Sequence, residues 1–249
     1  MGIEQVIDFS KRPIIILGVN HSGTRVLVDI LSALGSNGGD YNNEWHENKF
    51  FLQLHRELLG VQSDKEWTKA IFSRWKEGSI ETPFEREKSV GKKIHSGLKY
   101  AYPSFRTKPW HWKCPTSALF IKFWRKMYPN AFYLHIDRDP LEVAHSLLAR
   151  KQFRSVKSAN AFYLNMEERI EEVANLNYLK VHYRNLPNEF DSLLEFLPFL
   201  DKEAISTARN LIRFKSKRWK SNNSLKENLW VVSVDIRIAL ARLKRKKFI

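Results

Sequence analysis

Pro13-Ile-Ile-Ile-Leu17-Gly18-Val-Asn-His21-Ser-Gly23-Thr-Arg25-Val-Leu-Val-Asp-Ile-Leu-Ser-Ala-Leu-Gly35 is the stretch that decides how this chain folds. Ile14 to Leu17 is a short apolar run, mostly β-branched, which reads as a buried strand. Gly18 breaks it. From Gly23 onward Val26, Leu27, Ile30, Leu31 and Leu34 recur at helical spacing. A strand, a glycine-bounded loop and a helix in that order aim backbone N–H groups and the positive end of a helix at one point, where a phosphate is held well.

The two glycines are spaced as in a nucleoside-triphosphate loop, G-x-x-x-x-G-K-[ST]. Thr24, however, stands at the lysine position, and Arg25 at that of the hydroxyl that would hold Mg²⁺. A γ-phosphate there would lack its neutralising lysine, and the metal its anchor. The loop suits a phosphate and argues against ATP.

A second strand, turn and helix lie at 131–150. Phe132 to Ile136 reads as another buried strand, Asp139 as a helix N-cap and Pro140 as the first helical residue. Arg138 falls at the strand's end and Ser146 eight residues later on the helix. A guanidinium can grip a phosphate bidentately and a nearby hydroxyl adds a donor, chemistry that fits a second anion site. Asp137 permits a rival reading, as a metal-holding carboxylate after an apolar strand in a P-loop kinase or nucleotide hydrolase.

His21-Ser22-Gly23-Thr24 resembles the 5′-phosphosulfate loop of sulfotransferases that use PAPS, 3′-phosphoadenosine 5′-phosphosulfate, in which Lys or Arg precedes Ser-Gly-Thr. Arg138-Asp139-Pro140 with Ser146 resembles the 3′-phosphate motif of the same family. Trp112-Lys113-Cys114-Pro115 resembles the Glu-Lys-(Thr/Ser)-Pro segment of carbohydrate sulfotransferases, with Trp112 and Cys114 as departures. Residues 178–187 resemble the late strand ending in Tyr-Glu-Asp-Leu, with Arg184 and Asn185 replacing the acidic pair. These segments follow the family's order over about residues 12–200, and are nearest in motif to carbohydrate (heparan-type) and tyrosylprotein sulfotransferases.

The resemblance implies a P-loop-like α/β fold and sulfuryl transfer from PAPS, leaving PAP, to a hydroxyl or amine of an acceptor, with a glycan or glycolipid favoured. It implies donor binding by His21, Ser22, Gly23, Thr24, Arg25, Arg138 and Ser146, with Lys217 and Arg218 drawn onto the 3′-phosphate from a late basic loop. Lys113 is implied at the donor's 5′ side. His21 stands where the family has a cation for the leaving oxygen. Its imidazole carries charge only if its pKa is raised, which a 5′-phosphate and surrounding carboxylates would do. Asn43-Glu44-Trp45-His46 resembles a Glu-x-His segment, implying Glu44 as general base with His46 orienting it and Glu47 in reserve. No metal is implied; His, Asp and Glu do not cluster at zinc or magnesium spacing, and His111, His135 and His145 read as satisfied structural histidines.

With 42 Lys and Arg against 27 Asp and Glu, the net charge is +15. Six of the basic residues fall in 209–220 and five in 242–247, with no acid in either run. Such a field suits an anionic donor, but also a membrane surface or nucleic acid, so a basic polymer-binding module is the other rival. No nucleic acid is expected as partner. The oligomeric state stays open. Cys114 is the one cysteine, which excludes an internal disulfide and reads as buried packing. No apolar run approaches a membrane span and no signal-peptide layout opens the chain. The expected compartment is the cytoplasm, a trimmed luminal domain being the alternative.

The expected architecture is a single α/β domain over 1–249 with a central parallel sheet flanked by helices. The spacing predicts strands at 13–18, 131–136 and 178–183. It predicts helices at 23–34, 116–128, 140–151, 160–176, near 188–197 and at 201–215. Residues 45–111, rich in Trp and Phe, read as helix and loop on the acceptor side, their rings packed in the core more readily than stacked on a sugar. Residues 201–249 form a basic, helical C-terminal part, within which 229–243 fits strand and helix equally and is taken as a docking helix.

Overall fold

The computed structural model describes residues 8–42, 46–63, 65–67, 70–71 and 80–212. Its centre is a four-stranded sheet in the order β4-β1-β5-β6, formed by β1 (Ile14–Leu17), β4 (His111–Lys113), β5 (Phe132–Asp137) and β6 (Tyr178–His182). Every pairing is parallel, with Ile15 beside both Trp112 and Tyr133, and Asp137 beside His182.

The uninterrupted apolar run of β1 has two faces to fill. Ile14 and Ile16 point into one layer with α1 (Thr24–Ala33) and α7 (Leu186–Phe196), whose Val26, Leu27, Leu31, Phe190 and Leu193 close it. Ile15 and Leu17 point into the other, against α2 (Lys49–Leu59), α3 (Phe84–Ala101), α4 (Ile121–Met127), α5 (Pro140–Ala149) and α6 (Val156–Glu171). Helices on both faces of a parallel sheet are what crossover connections require. Chain order leaves β1 toward β4 on one side and reaches β5 on its other side. Ligands of open α/β sheets bind at the strands' carboxyl ends beside such a reversal.

The predicted strands and most helices are present within a few residues. Asp139 caps α5 as expected, its Oδ1 accepting from the Leu141 and Glu142 amides at 2.9 and 3.1 Å behind Pro140. The helix expected at 116–128 instead begins as a 3-10 segment, Pro115–Phe120, and turns α-helical at Ile121. The Leu119 carbonyl accepts from the Ile80 amide at 2.9 Å, and Ser117 Oγ takes the Trp112 indole N–H at 3.3 Å. Tertiary partners thus hold the tighter turn. The helix expected at 160–176 starts at Val156, where Ser155 Oγ accepts from the Ser158 amide at 3.1 Å, and ends at Glu171.

Strand β4 and the short hairpin of β2 (Tyr41–Asn42) and β3 (Glu47–Asn48) have no counterpart among the sequence expectations. Residues 205–212 are helical, and the reading of 229–243 lies outside the described residues. Among the described residues no helix is long and apolar enough to cross a membrane.

Candidate functional site

The loop after β1 is held in a conformation that its residues would not adopt alone. Gly18 has φ 153°, Gly23 φ 107° and, unusually for a side-chain-bearing residue, His21 φ 73°. A Cβ at Gly18 would lie 2.8 Å from the Ile136 carbonyl, so only glycine lets the loop leave β1 so close to β5. A Cβ at Gly23 would lie 2.1 Å from the Tyr183 ring.

Within this loop Ser22 Oγ is buried and has no hydrogen-bond partner among the described residues, while the His21 side chain meets that of Gln152. Buried polar groups are nearly always satisfied, so an unpartnered hydroxyl in a loop that leads into a helix N-terminus is where a polar ligand would be accommodated. The imidazole environment corrects one expectation. Burial, and after it the positive charge of Arg150, push His21 down to about 4; Lys113 and Arg138 add to this and Gln152 opposes it. Its charged neighbours are cations rather than carboxylates, so His21 is neutral in the protein alone.

Arg138 leaves the end of β5 beside the loop. Its guanidinium donates from Nη1 to the His21 carbonyl at 3.2 Å and from Nε to Glu142 Oε2 at 2.7 Å, and lies 4.9 Å over the Tyr183 ring. Tyr163, on α6, donates its hydroxyl hydrogen to the Arg138 carbonyl at 2.7 Å. Ser146 is half-buried on α5, one turn beyond Glu142 and on the same face.

A model of the sulfotransferase family matches residues 13–197. The chain belongs to the sulfotransferase family. Among solved structures, the sulfotransferase domain of a Synechococcus olefin synthase is 18% identical, with a TM-score of 0.53 over 78% of this chain and 76% of that one. A Mycobacterium tuberculosis sulfotransferase is 14% identical at a TM-score of 0.47, over 84% and 72%. At 18% identity the likeness to the olefin synthase domain speaks for the fold alone. A search of curated proteins finds no match.

In this sulfotransferase-family chain Lys113, the last residue of β4, is buried, and its Nζ lies 3.5 Å from Glu47 Oε1. Burial lowers the ammonium's pKa and the Glu47 carboxylate works against that. Glu47 also lines a cavity of about 380 Å³ with Asn20, Leu52, Trp67, Thr116 and Gln152. Leu52, Trp67 and Ile71 give it an apolar side, and Lys151 adds a charge to its polar one.

His46 is turned elsewhere. Its Nδ1 lies 3.1 Å from Asp29 Oδ1 and its ring stacks on Tyr41, 5.3 Å between centroids. Thr24 is buried at the start of α1, while Arg25 is exposed one residue later. Glu44, Lys217 and Arg218 lie outside the described residues.

Several departures find a physical reason. Trp112 is core, its ring stacked 3.9 Å from Phe51, and Trp110 and Trp124 pack around it. Cys114 is packed against His55 and Thr116, at 3.2 and 3.0 Å, and burial pushes its thiol up to about 12. Asp137 lies 3.4 Å from the Lys180 ammonium and 3.2 Å from the His182 ring nitrogen on β6.

His111 and His135 are satisfied as expected, by Ser36 and Tyr41 and by Tyr178 and Glu167. His145 is not: its Nδ1 is buried and unpartnered among the described residues. The fold gathers His135, Glu167 and Glu171 within 4.8 Å, a cluster that sequence spacing conceals. The Lys180 ammonium answers both carboxylates, at 3.5 and 2.9 Å.

Glu142, Tyr163, Arg150 and Gln152 are contacts that sequence reasoning missed. Glu142 alone had a legible signal, four residues after Arg138 at the start of a helix.

Proposed function

We propose that this chain transfers a sulfuryl group from PAPS to a hydroxyl or amine of an acceptor. The observation that carries the reading is the glycine-bounded loop with its buried, unpartnered Ser22 Oγ, against whose His21 carbonyl Arg138 rests. When bound, PAPS supplies the activated sulfuryl group and a phosphate leaving group.

His21 and Ser22 donate to the 5′ side of the nucleotide, with Lys113 as the buried cation behind them. An anion at that place would offset the surrounding positive charges and raise the His21 pKa from its depressed value. Arg138 and Ser146 hold the 3′-phosphate. Glu47, which lines the cavity, is the carboxylate whose position supports proton removal from the acceptor, and Glu44 is its rival three residues earlier. Leu52, Trp67 and Ile71 give the acceptor an apolar wall, which a sugar face or a lipid-linked alcohol suits.

Isothermal titration with PAP, and with ATP in the presence and absence of Mg²⁺, tests the reading. PAP is expected to bind without metal and more tightly than either form of ATP. Mg²⁺-dependent ATP binding that exceeds PAP binding would overturn it.

A further inference from the structure

Two guanidinium groups converge on one carboxylate at the start of α5. Arg138 Nε donates to Glu142 Oε2 at 2.7 Å, and Arg184, just beyond β6, reaches Oε1 of the same carboxylate through its Nη2. Tyr183 lies between the arginines in sequence, and its ring sits under the Arg138 guanidinium and against Gly23 of the phosphate loop. Arg184 therefore belongs to the same mouth as the loop, although it comes from the far edge of the sheet.

We infer that Arg184 is a second cation for the donor's 3′-phosphate, and that Glu142 holds the place between the two arginines until that phosphate takes it. The inference rests on the donor reading of Arg138 given above.

Two cations facing one carboxylate leave a positive excess, which a phosphate dianion meets better than a single negative charge. The helix N-terminus behind Glu142 favours an anion there too. Arg184 is 58% exposed, so its pairing with Glu142 is of the weak, solvent-screened kind and yields readily to a doubly charged ligand. A nucleotide with a free 3′-hydroxyl has no charge with which to displace the carboxylate. Glu142 and Arg184 together then act as a filter for the 3′-phosphate, distinct from the loop that takes the 5′ side.

Titration of the full chain with PAP and with AMP, which lacks the 3′-phosphate, separates these roles. Arg184→Gln is expected to weaken PAP about tenfold, as loss of one charge-assisted pair should, and to leave AMP within about twofold. Glu142→Gln is expected to tighten PAP about threefold or more, again without moving AMP. Unchanged melting temperatures would show both variants folded. An unaltered preference for PAP over AMP in Arg184→Gln, or weaker PAP binding in Glu142→Gln, overturns the inference while leaving the donor reading in place. If the wild-type chain does not prefer PAP to AMP, the donor reading fails and this inference with it.

Discussion

Lys113 Nζ lies 3.5 Å from Glu47 Oε1, a buried ammonium at the end of β4 held by a carboxylate at the edge of the cavity. Removing the carboxylate leaves the ammonium buried with less compensation. Glu47→Gln is expected to cost about 1–2 kcal/mol at neutral pH, below the range for fully buried pairs because Glu47 is partly exposed. Burial already holds the folded pKa of Lys113 below its unfolded value of about 10.5, so the unfolded chain binds more protons between the two. The defect should shrink as pH rises toward the unfolded value and the ammonium discharges. Urea denaturation at pH about 7 and about 9.5 measures this; a defect that grows with pH contradicts it.

Gly23 offers a steric test of the loop. Alanine there puts a methyl group 2.1 Å from Tyr183 Cδ2 while the backbone must keep φ 107°. A loss of about 2 kcal/mol or more is expected, from strain and collision together. Pairing it with Tyr183→Ala should recover the collision part only. Equal denaturation midpoints for Gly23→Ala and the wild type would mean the loop is not so constrained.

Burial holds three imidazoles below the unfolded value of about 6.5: His21 at about 4, and His55 and His111 at about 3. Between these values the unfolded chain binds more protons, so folding stability should fall as pH drops from about 6.5. A melting temperature that stays flat or rises from pH 6.5 to 4.5 contradicts the sign. An anion in the loop raises the His21 pKa, so PAP binding near pH 5.5 should take up a fraction of a proton. Calorimetry in buffers of different ionisation enthalpy reads the net proton exchange, which also includes release from the phosphates of PAP, and His21→Gln should shift it toward release.

Tyr163 is buried and gives its hydroxyl hydrogen to the Arg138 carbonyl at 2.7 Å, which makes it a positioning residue. Tyr163→Phe leaves that carbonyl without its donor, at a cost of about 1–2 kcal/mol. If the bond aims the guanidinium, PAP affinity should fall several-fold more than AMP affinity. Equal losses for both nucleotides would reduce Tyr163 to a packing residue.

The loop, β1, α1, β5 and the cap at Asp139 were legible because each depends on residues within a few positions of one another. The place of Arg138, where β5 hands over to α5, was legible for the same reason. The acceptor-side region was not. Strand β4 is three residues long, and Trp112 and Lys113 lie in it because Ile15 and Ile16 pair with them. The charge of His21 could not be read either, since it is depressed first by burial and then by Arg150 and Lys113, all brought about by distant parts of the chain.

Local order alone therefore determined a glycine-bounded strand–loop–helix, a second strand–turn–helix and a parallel α/β sheet: hydrophobic period, glycine freedom and capping act over a few residues. The tertiary structure decided everything that needs two remote segments in one place. It put Glu47 on Lys113, Tyr163 on Arg138, and Arg138 and Arg184 on Glu142. Burial and the field of neighbouring charges arise only once the chain has closed on itself, and these set the protonation and the partners of the site.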